Sequence, residues 1–276
     1  MSYKISELAK VLGVSTNTIR RYEEKGYFES VRDKNSGYRY YGDDSVFNVI
    51  NAKLLRKYGF SHEEIDEINE YNLDENIDCF EKKLKEIDEK LDYYTHVRHR
   101  MKDDLLLMKK IQQNDNIYKM DCVEMIYVLY SDGEKLLTDA ARIRKIKEFL
   151  YGSPEVQRIY ILSKQDFENN RFVLKKGWAI KDYLMEKYHM TENECTVRYK
   201  KHASVMEMVK FPMKSSELNI MSYEEKKHMI LGKSLKYIKE NNLVIAGDIM
   251  AVVITKVREN NKEFVYFLVS IPVDKK

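Results

Sequence analysis

The first apolar positions of the chain, Ile5, Leu8, Ala9 and Leu12, recur at helical spacing up to Gly13. A short helix therefore ends there, and Ser15 can cap a second one running from Thr16 to Lys25 before Gly26. The pattern then turns strand-like: Tyr27 to Arg32 and Tyr38 to Tyr41 are aromatic-rich runs bracketing Asp33-Lys34-Asn35-Ser36-Gly37, a hairpin with its turn. Helical spacing returns with Val46, Val49, Ile50 and Leu54 up to Gly59, and Ser61 with Glu64 three positions later makes a capping box for a further helix. From Ile77 the apolar positions run three and four apart through Phe80, Leu84, Ile87, Leu91, Tyr94, Met101, Leu105 and Met108. That spacing predicts a coiled-coil seam, interrupted at Arg98, with His96 and His99 on the outer, solvated face. A helix from Ile77 to Gln113 spans ~55 Å, too long for one small domain to cover, so a second copy of the chain is expected against it.

Asn114-Asp115-Asn116 breaks the heptads, and strand patterns follow from Ile117. Two stretches resemble each other. Cys122-Val123-Glu124-Met125-Ile126 precedes a helix with Leu136, Ala140, Ile143, Ile146 and Leu150, and Val205-Met206-Glu207-Met208-Val209 precedes one with Leu231, Leu235 and Ile238, as an internal duplication would leave them. Each half reads as a strand, a helix and further strands, the last pair being Ile249 to Val257 and Phe264 to Val273 across Glu259-Asn260-Asn261. The expected architecture is a mainly α N-terminal winged helix-turn-helix over residues 1–75, a long coiled-coil helix over 76–113, and an α+β duplicated effector domain with an antiparallel sheet over 117–276.

Composition narrows the function classes. With 276 residues and 43% hydrophobic content, the chain can build two cores. No run approaches the ~18 apolar residues of a membrane helix, and no basic-then-apolar leader opens the chain, so a cytoplasmic protein without a membrane partner is expected. Cys79, Cys122 and Cys195 stand singly, without the pairing of a disulfide framework or zinc knuckle. The net charge of +3 is unevenly placed: residues 1–60 hold eleven Lys/Arg against seven Asp/Glu, and 61–75 hold seven acids and no Lys/Arg. The front end is the part suited to a polyanion.

Two short helices joined by a Gly-containing turn make a helix-turn-helix. The second presents Thr16, Asn17, Thr18, Arg20, Arg21 and Lys25, whose donors and acceptors suit base edges or phosphates, with Ile19 and Tyr22 partly facing the first helix. We include Tyr22 among the candidate DNA contacts. The hairpin forms a wing in which Arg32 and the run Tyr38-Arg39-Tyr40 suit backbone phosphates. Tyr3-Lys4-Ile5-Ser6-Glu7-Leu8-Ala9, Gly13-Val14-Ser15, Thr18-Ile19-Arg20, Tyr22-Glu23, Gly26, Gly37-Tyr38-Arg39-Tyr40 and Gly59-Phe60-Ser61 stand in an order that resembles the MerR family of regulators over roughly the first quarter of the chain. Ser30 departs from it, since the family usually has Pro there.

The C-terminal strand order, the duplication and the ending Ser270-Ile271-Pro272-Val273 resemble the GyrI-like effector domain of some MerR-family members. That resemblance implies a pocket between the halves, lined with aromatics and often an acidic residue, that takes lipophilic cations. Candidate ligand residues are Glu207, which shares strand parity with Val205, Val209 and Phe211, and Trp178, Tyr127, Tyr199 and Tyr266, whose rings can hold a cation. Trp178 is placed at the start of a helix, and Glu124 occupies the place matching Glu207 in the first half.

The whole reads as a homodimer that binds double-stranded promoter DNA, without a cofactor, and senses a small aromatic or cationic organic molecule. The family resemblance implies an activator that reaches RNA polymerase indirectly, by distorting the DNA. The alternatives are a metal sensor using Cys79, Cys122 or the helix histidines, although no residue is assigned as a metal ligand, and a hydrolase with Glu207 as base, although no catalytic nucleophile-base set is found.

Overall fold

A computed structural model of the chain describes residues 2–34, 37–113, 117–212 and 221–276. Asn35-Ser36 of the hairpin turn and the break at Asn114-Asp115-Asn116 lie outside the described residues. The chain divides into two compact units, Met1–Asp92 and Tyr93–Lys276.

In the first unit, β1 (Ser2–Lys4) precedes α1 (Ile5–Leu12) and α2 (Thr16–Glu24). Gly13 ends α1 at φ +61°, a left-handed conformation that a side chain would strain. Ser15 Oγ caps α2 by accepting the Thr18 N–H at 3.1 Å. β2 (Val31–Arg32) and β3 (Arg39–Gly42) form the wing, with β1 on the far side of β3. The first wing strand is shorter than the aromatic run predicts. Tyr27 and Phe28 turn inward and are buried, because a unit this small needs its aromatic bulk as core. α3 (Asp43–Lys57) and α4 (His62–Glu70) close that core around Leu8, Ile19, Tyr41, Val49, Phe60 and Ile65.

Helix α5 (Leu73–Gln112) is 40 residues long, about 60 Å. It begins ahead of Ile77 because Asn72 Oδ1 accepts the Glu75 N–H at 3.1 Å while Glu75 Oε2 accepts the Asn72 N–H at 2.8 Å, a reciprocal cap. In the first unit the buried Lys83 ties α5 to α4, donating to Glu64 at 2.8 Å and Glu86 at 3.0 Å and lying 4.9 Å over the Phe60 ring. Leu84, Leu91, Tyr94, Met101 and Leu105 along the predicted seam are more than half exposed. His96 corrects the expectation of a solvated outer face. It is buried with its Nδ1 3.3 Å from Glu155 Oε1 and its ring edge-on to Tyr188, whereas His99 is exposed. Heptad geometry tells which side faces a coiled-coil partner, not what packs on the other side.

The second unit comprises β4 (Ile117–Asp121), β5 (Met125–Ser131), α6 (Ala140–Gly152), β6 (Gln157–Leu162), α7 (Lys164–Glu168), β7 (Lys175–Lys181), α8 (Asp182–Met185) and β8 (Thr196–Tyr199). It continues with β9 (Ala203–Pro212), α9 (Tyr223–Glu240), β10 (Leu243–Ile245), β11 (Ile249–Glu259) and β12 (Lys262–Lys275). The strands make one antiparallel sheet in the order β4-β9-β12-β11-β6-β7-β5-β8, with β10 added to β12. The order β5-β7-β6 recurs as β9-β12-β11, and the two triplets meet at the β6–β11 pair.

Strand register carries one face of this sheet from Ile126 through Ile180, Tyr160, Ala251 and Val269 to Glu207. Both helices lie on that face. Phe149 of α6 packs with Ile126, Val128 and Ile180, and Leu231 and Ile238 of α9 pack with Val205, Val209 and Val269. The alternate residues, Met125, Tyr127, Ile159, Ala179, Met250 and Met206, form a separate cluster on the opposite face. Among the described residues no helix is long and apolar enough to cross a membrane.

Trp178 is a β7 residue on the helix-covered face, not the start of a helix. The glycine before it is no punctuation mark. A Cβ at Gly177 would sit 2.5 Å from Val128 O and 3.1 Å from Leu129 Cδ2, so its absence lets β5 and β7 approach. Gly177→Ala is expected to destabilise the second unit by about 1–3 kcal/mol, measured as a lower denaturation midpoint followed by Trp178 fluorescence. An unchanged midpoint would mean that the backbone yields at little cost.

Candidate DNA interface and effector cavity

The exposed side of α2 carries Asn17, Arg20, Arg21 and Lys25, while Thr16 and Thr18 are half-buried. Thr18 Oγ1 lies 2.9 Å from Ser15 Oγ, so this hydroxyl belongs partly to the cap. Tyr22 is displaced from the predicted contact set. It is buried beside Ile19 in the core, its ring 5.3 Å from Tyr27 and 6.2 Å from His62, because one helical turn from Ile19 returns to the same inward face. Tyr27 Oη and His62 Nδ1 share a hydrogen bond at 2.6 Å. Burial pushes this phenol up to about 12 and holds the imidazole below its ordinary value, so at neutral pH the contact joins two uncharged groups.

On the wing, Arg32, Tyr38 and Arg39 are exposed and Tyr40 is half-buried. One carboxylate fixes the wing against α2. Glu23 accepts from Arg39 Nη1 at 2.9 Å, from Tyr41 Oη at 3.2 Å and from Ser30 Oγ. Arg39 thus has a structural partner beside its expected phosphate. Ser30 donates to Glu23, which the proline usual at this position could not do.

The five predicted ligand residues do not converge. Tyr127 and Tyr199 lie on the sheet face opposite α6 and α9, Trp178 and Glu207 on the face those helices cover, and Tyr266 near the β9 edge. Glu124 precedes β5 and pairs with Arg198 at 2.6 Å. Glu207 is buried, as its parity predicts, and its partner is Ser234 of α9, whose N–H and Oγ–H donate to Oε2 at 3.1 and 2.5 Å. Burial raises this carboxyl above its ordinary value, and the two Ser234 hydrogen bonds oppose the rise.

The face opposite α6 and α9 holds a cavity of about 240 Å³ where the two strand triplets meet. Met125, Met206, Met250, Val252 and Leu268 give it an apolar wall, and Arg100, Asp103, Asp104, Leu106 and Leu107 of α5 form another side. Tyr199 Oη and Ser270 Oγ are buried at this wall, and among the described residues neither completes a hydrogen bond, although they are near enough to interact. Burial drives the Tyr199 phenol well above its ordinary value. The charges at the mouth are paired: Arg100 with Asp104 at 2.7 Å, and Lys181 with Asp103 at 3.5 Å. Such a site can take an apolar molecule that offers partners to two hydroxyls.

Residues 3–71 match the family model for the MerR HTH family regulatory protein. Those residues are a MerR-family DNA-binding domain. The chain is 26% identical over 132 residues to the mercuric resistance operon regulatory protein of Bacillus cereus, covering 46% of this chain and 98% of that one. It is 21% identical over 257 residues to the multidrug-efflux transporter 1 regulator of Bacillus subtilis, covering 91% of this chain and 90% of that one. A solved EcmrR–DNA complex is a loose likeness, with 14% identity and a TM-score of 0.36 over 99% of this chain and 100% of the other. The matched family and relatives are regulators by name, and they give no support to hydrolysis by Glu207.

Sequence reasoning missed Glu23 as the brace of the wing and the cavity on the sheet face opposite Glu207. A buried carboxylate drew attention to the odd-numbered positions of β9, which α9 covers. Met206 on the opposite parity, with Leu268 and Ser270, was the available signal.

Arg20→Ala is expected to weaken promoter binding and to lower the salt slope of log K by about 1. Glu23→Gln should weaken it roughly three- to tenfold with the slope unchanged, since it loosens the wing without removing a cation. Fluorescence anisotropy between 50 and 200 mM salt, a range chosen for its effect on phosphate contacts, separates the two. Glu207 has a separate pH signature. A raised folded pKa means its contribution to stability is fully present below the unfolded value and is lost as pH rises through the folded one. Thermal unfolding of Glu207→Gln should therefore show a smaller loss of stability from pH 5 to 7 than the parent, and equal slopes would remove the assignment.

Proposed function

We propose that this protein is a MerR-family regulator that binds an inverted-repeat promoter site as a homodimer through residues 77–113 and activates transcription when a small organic molecule, aromatic or cationic, occupies the cavity on the face of its C-terminal sheet opposite α6 and α9. The observation that carries the reading is the buried pair of hydroxyls, Tyr199 and Ser270, which have at most each other as partners among the described residues and stand on an otherwise apolar wall. A buried polar group without a partner costs about 1–3 kcal/mol, which a ligand with a matching donor or acceptor recovers.

Three further features support it. The exposed seam of α5 needs cover. The recurring strand-helix-strand-strand order suits a duplicated, GyrI-like effector domain. A relative matching along most of the chain is named as a regulator of a multidrug-efflux transporter. Of the residues put forward as ligand contacts, Tyr199 stays in the site, Tyr127 supports its wall from the same cluster, and Met206, Met250, Leu268 and Ser270 join them. The α5 residues at the mouth give the ligand a means to act at a distance, because only a molecule that binds one placement of α5 more tightly than another shifts its population.

Isothermal titration of the full chain with a panel of lipophilic cations and neutral aromatics tests the site. Saturable binding is expected, weakened about five- to thirtyfold (~1–2 kcal/mol) by Tyr199→Phe or Ser270→Ala and abolished by Met206→Trp, which fills the cavity. Binding indifferent to all three changes would move the effector elsewhere, and promoter binding retained by Met206→Trp shows that the variant is folded.

A further inference from the structure

A second cavity, of about 590 Å³, opens beside α9 at the β9 margin of the sheet. β4 pairs with β9 only from Ala203 to Glu207, so beyond that point the described residues place no strand on this edge of β9. The cavity is large enough for a small metabolite and stands on a different part of the sheet from the effector site, so it does not depend on that reading.

Its charges are arranged by depth. Glu207 lies at the floor with only 6% of its surface exposed. Its Oε2 receives both donors of Ser234, and among the described residues no donor reaches Oε1. The rim is basic: His228, Lys233 and Lys236 project from exposed positions of α9, and Lys210 stands opposite on β9. Two of these cations are engaged, Lys210 by Glu259 with Phe264 beneath it, and Lys236 by Glu240 at 3.8 Å. Lys233 has no carboxylate within 4 Å among the described residues, yet it faces the same space as Glu207. Val209 and Met229 supply an apolar wall on the Glu207 side, while Met208, Lys210 and Tyr266 border the cavity from the other face at the β9 edge.

No ligand of a single charge suits this layout. A simple amine must pass a lysine rim, and a simple carboxylate or phosphate meets a buried carboxyl group at the bottom. A molecule with an ammonium at one end and a carboxylate at the other meets both the free Oε1 of Glu207 and Lys233. We propose that this cavity binds a zwitterion of the amino-acid or short-peptide class, with its ammonium on Glu207 Oε1, its carboxylate on Lys233 and Lys236, and its side chain against Val209 and Met229. Ser234 holds the Glu207 carboxyl group for this purpose as a positioning residue.

Isothermal titration of the full chain uses L-phenylalanine, L-lysine and the dipeptide Gly-Phe, with phenethylamine and phenylacetate as partners carrying one charge each. At least one zwitterion should saturate and bind ten times or more tighter than either singly charged compound. Glu207→Gln keeps an acceptor for Ser234 and should weaken it at least tenfold, as should the double change Lys233→Met and Lys236→Met, with the melting temperature of each variant showing that it is folded. Phenethylamine binding equally well and ignoring the lysines would replace the proposal with a plain cation site. Phenylacetate binding equally well and ignoring Glu207 would replace it with an anion site. Saturation by none of the three zwitterions at 10 mM, a deliberately generous ceiling far above common affinities, overturns it.

Discussion

In an antiparallel sheet, neighbouring residues of a strand point to opposite faces, and in the C-terminal unit α6 and α9 cover the same face. That constraint separates Met206 from Glu207. The carboxylate is drawn under α9, where Ser234 meets it, and the thioether is left on the face that no helix of the strand triplets covers. Methionines at positions 125, 206 and 250 populate that open face. Their flexible, polarisable side chains tolerate an irregular void better than branched residues would, which suits a wall that must hold shape around a cavity.

The N-terminal unit meets a different constraint. It is small, so its core is aromatic: Tyr22, Tyr27, Phe28, Tyr41 and Phe60 are all buried. Ile19 and Tyr22 anchor α2 by one face, and this leaves Asn17, Arg20, Arg21 and Lys25 on the other. The wing has too little strand pairing to hold its own position, since β2 has only two residues. Glu23 supplies the missing restraint through three hydrogen bonds across to Ser30, Arg39 and Tyr41. Charge-assisted bonds of this kind carry more than neutral ones, so a brief hairpin can stand at a fixed place beside the recognition helix.

Helix α5 takes part in both units. Its first half is fastened by the Asn72–Glu75 cap and by Lys83, and its second half contributes Arg100, Asp103 and Asp104 to the cavity mouth. The ion pairs at that mouth are partly exposed and worth little individually. They are therefore contacts that a bound molecule could exchange without large cost, whereas the buried Lys83 contacts are not.

Local pattern alone determined much of this protein. Helix spacing and caps located α1 to α4, the period of the apolar seam located α5, and alternation in β9 set Glu207 among apolar neighbours. Asn72-x-x-Glu75 was an equally local signal for the true start of α5. These features depend on residues within a turn or two of each other, which is why they are legible. What packs against each face is settled by residues far apart in the chain. Only the tertiary structure decided that Tyr22 goes to the core, that Glu155 comes to bury His96, and that Trp178 and Tyr127 point to opposite sides of one sheet. Only the strand order brought Tyr199, Met206, Met250 and Ser270 to a common wall, because register between distant strands is fixed by the burial of whole faces rather than by any one segment.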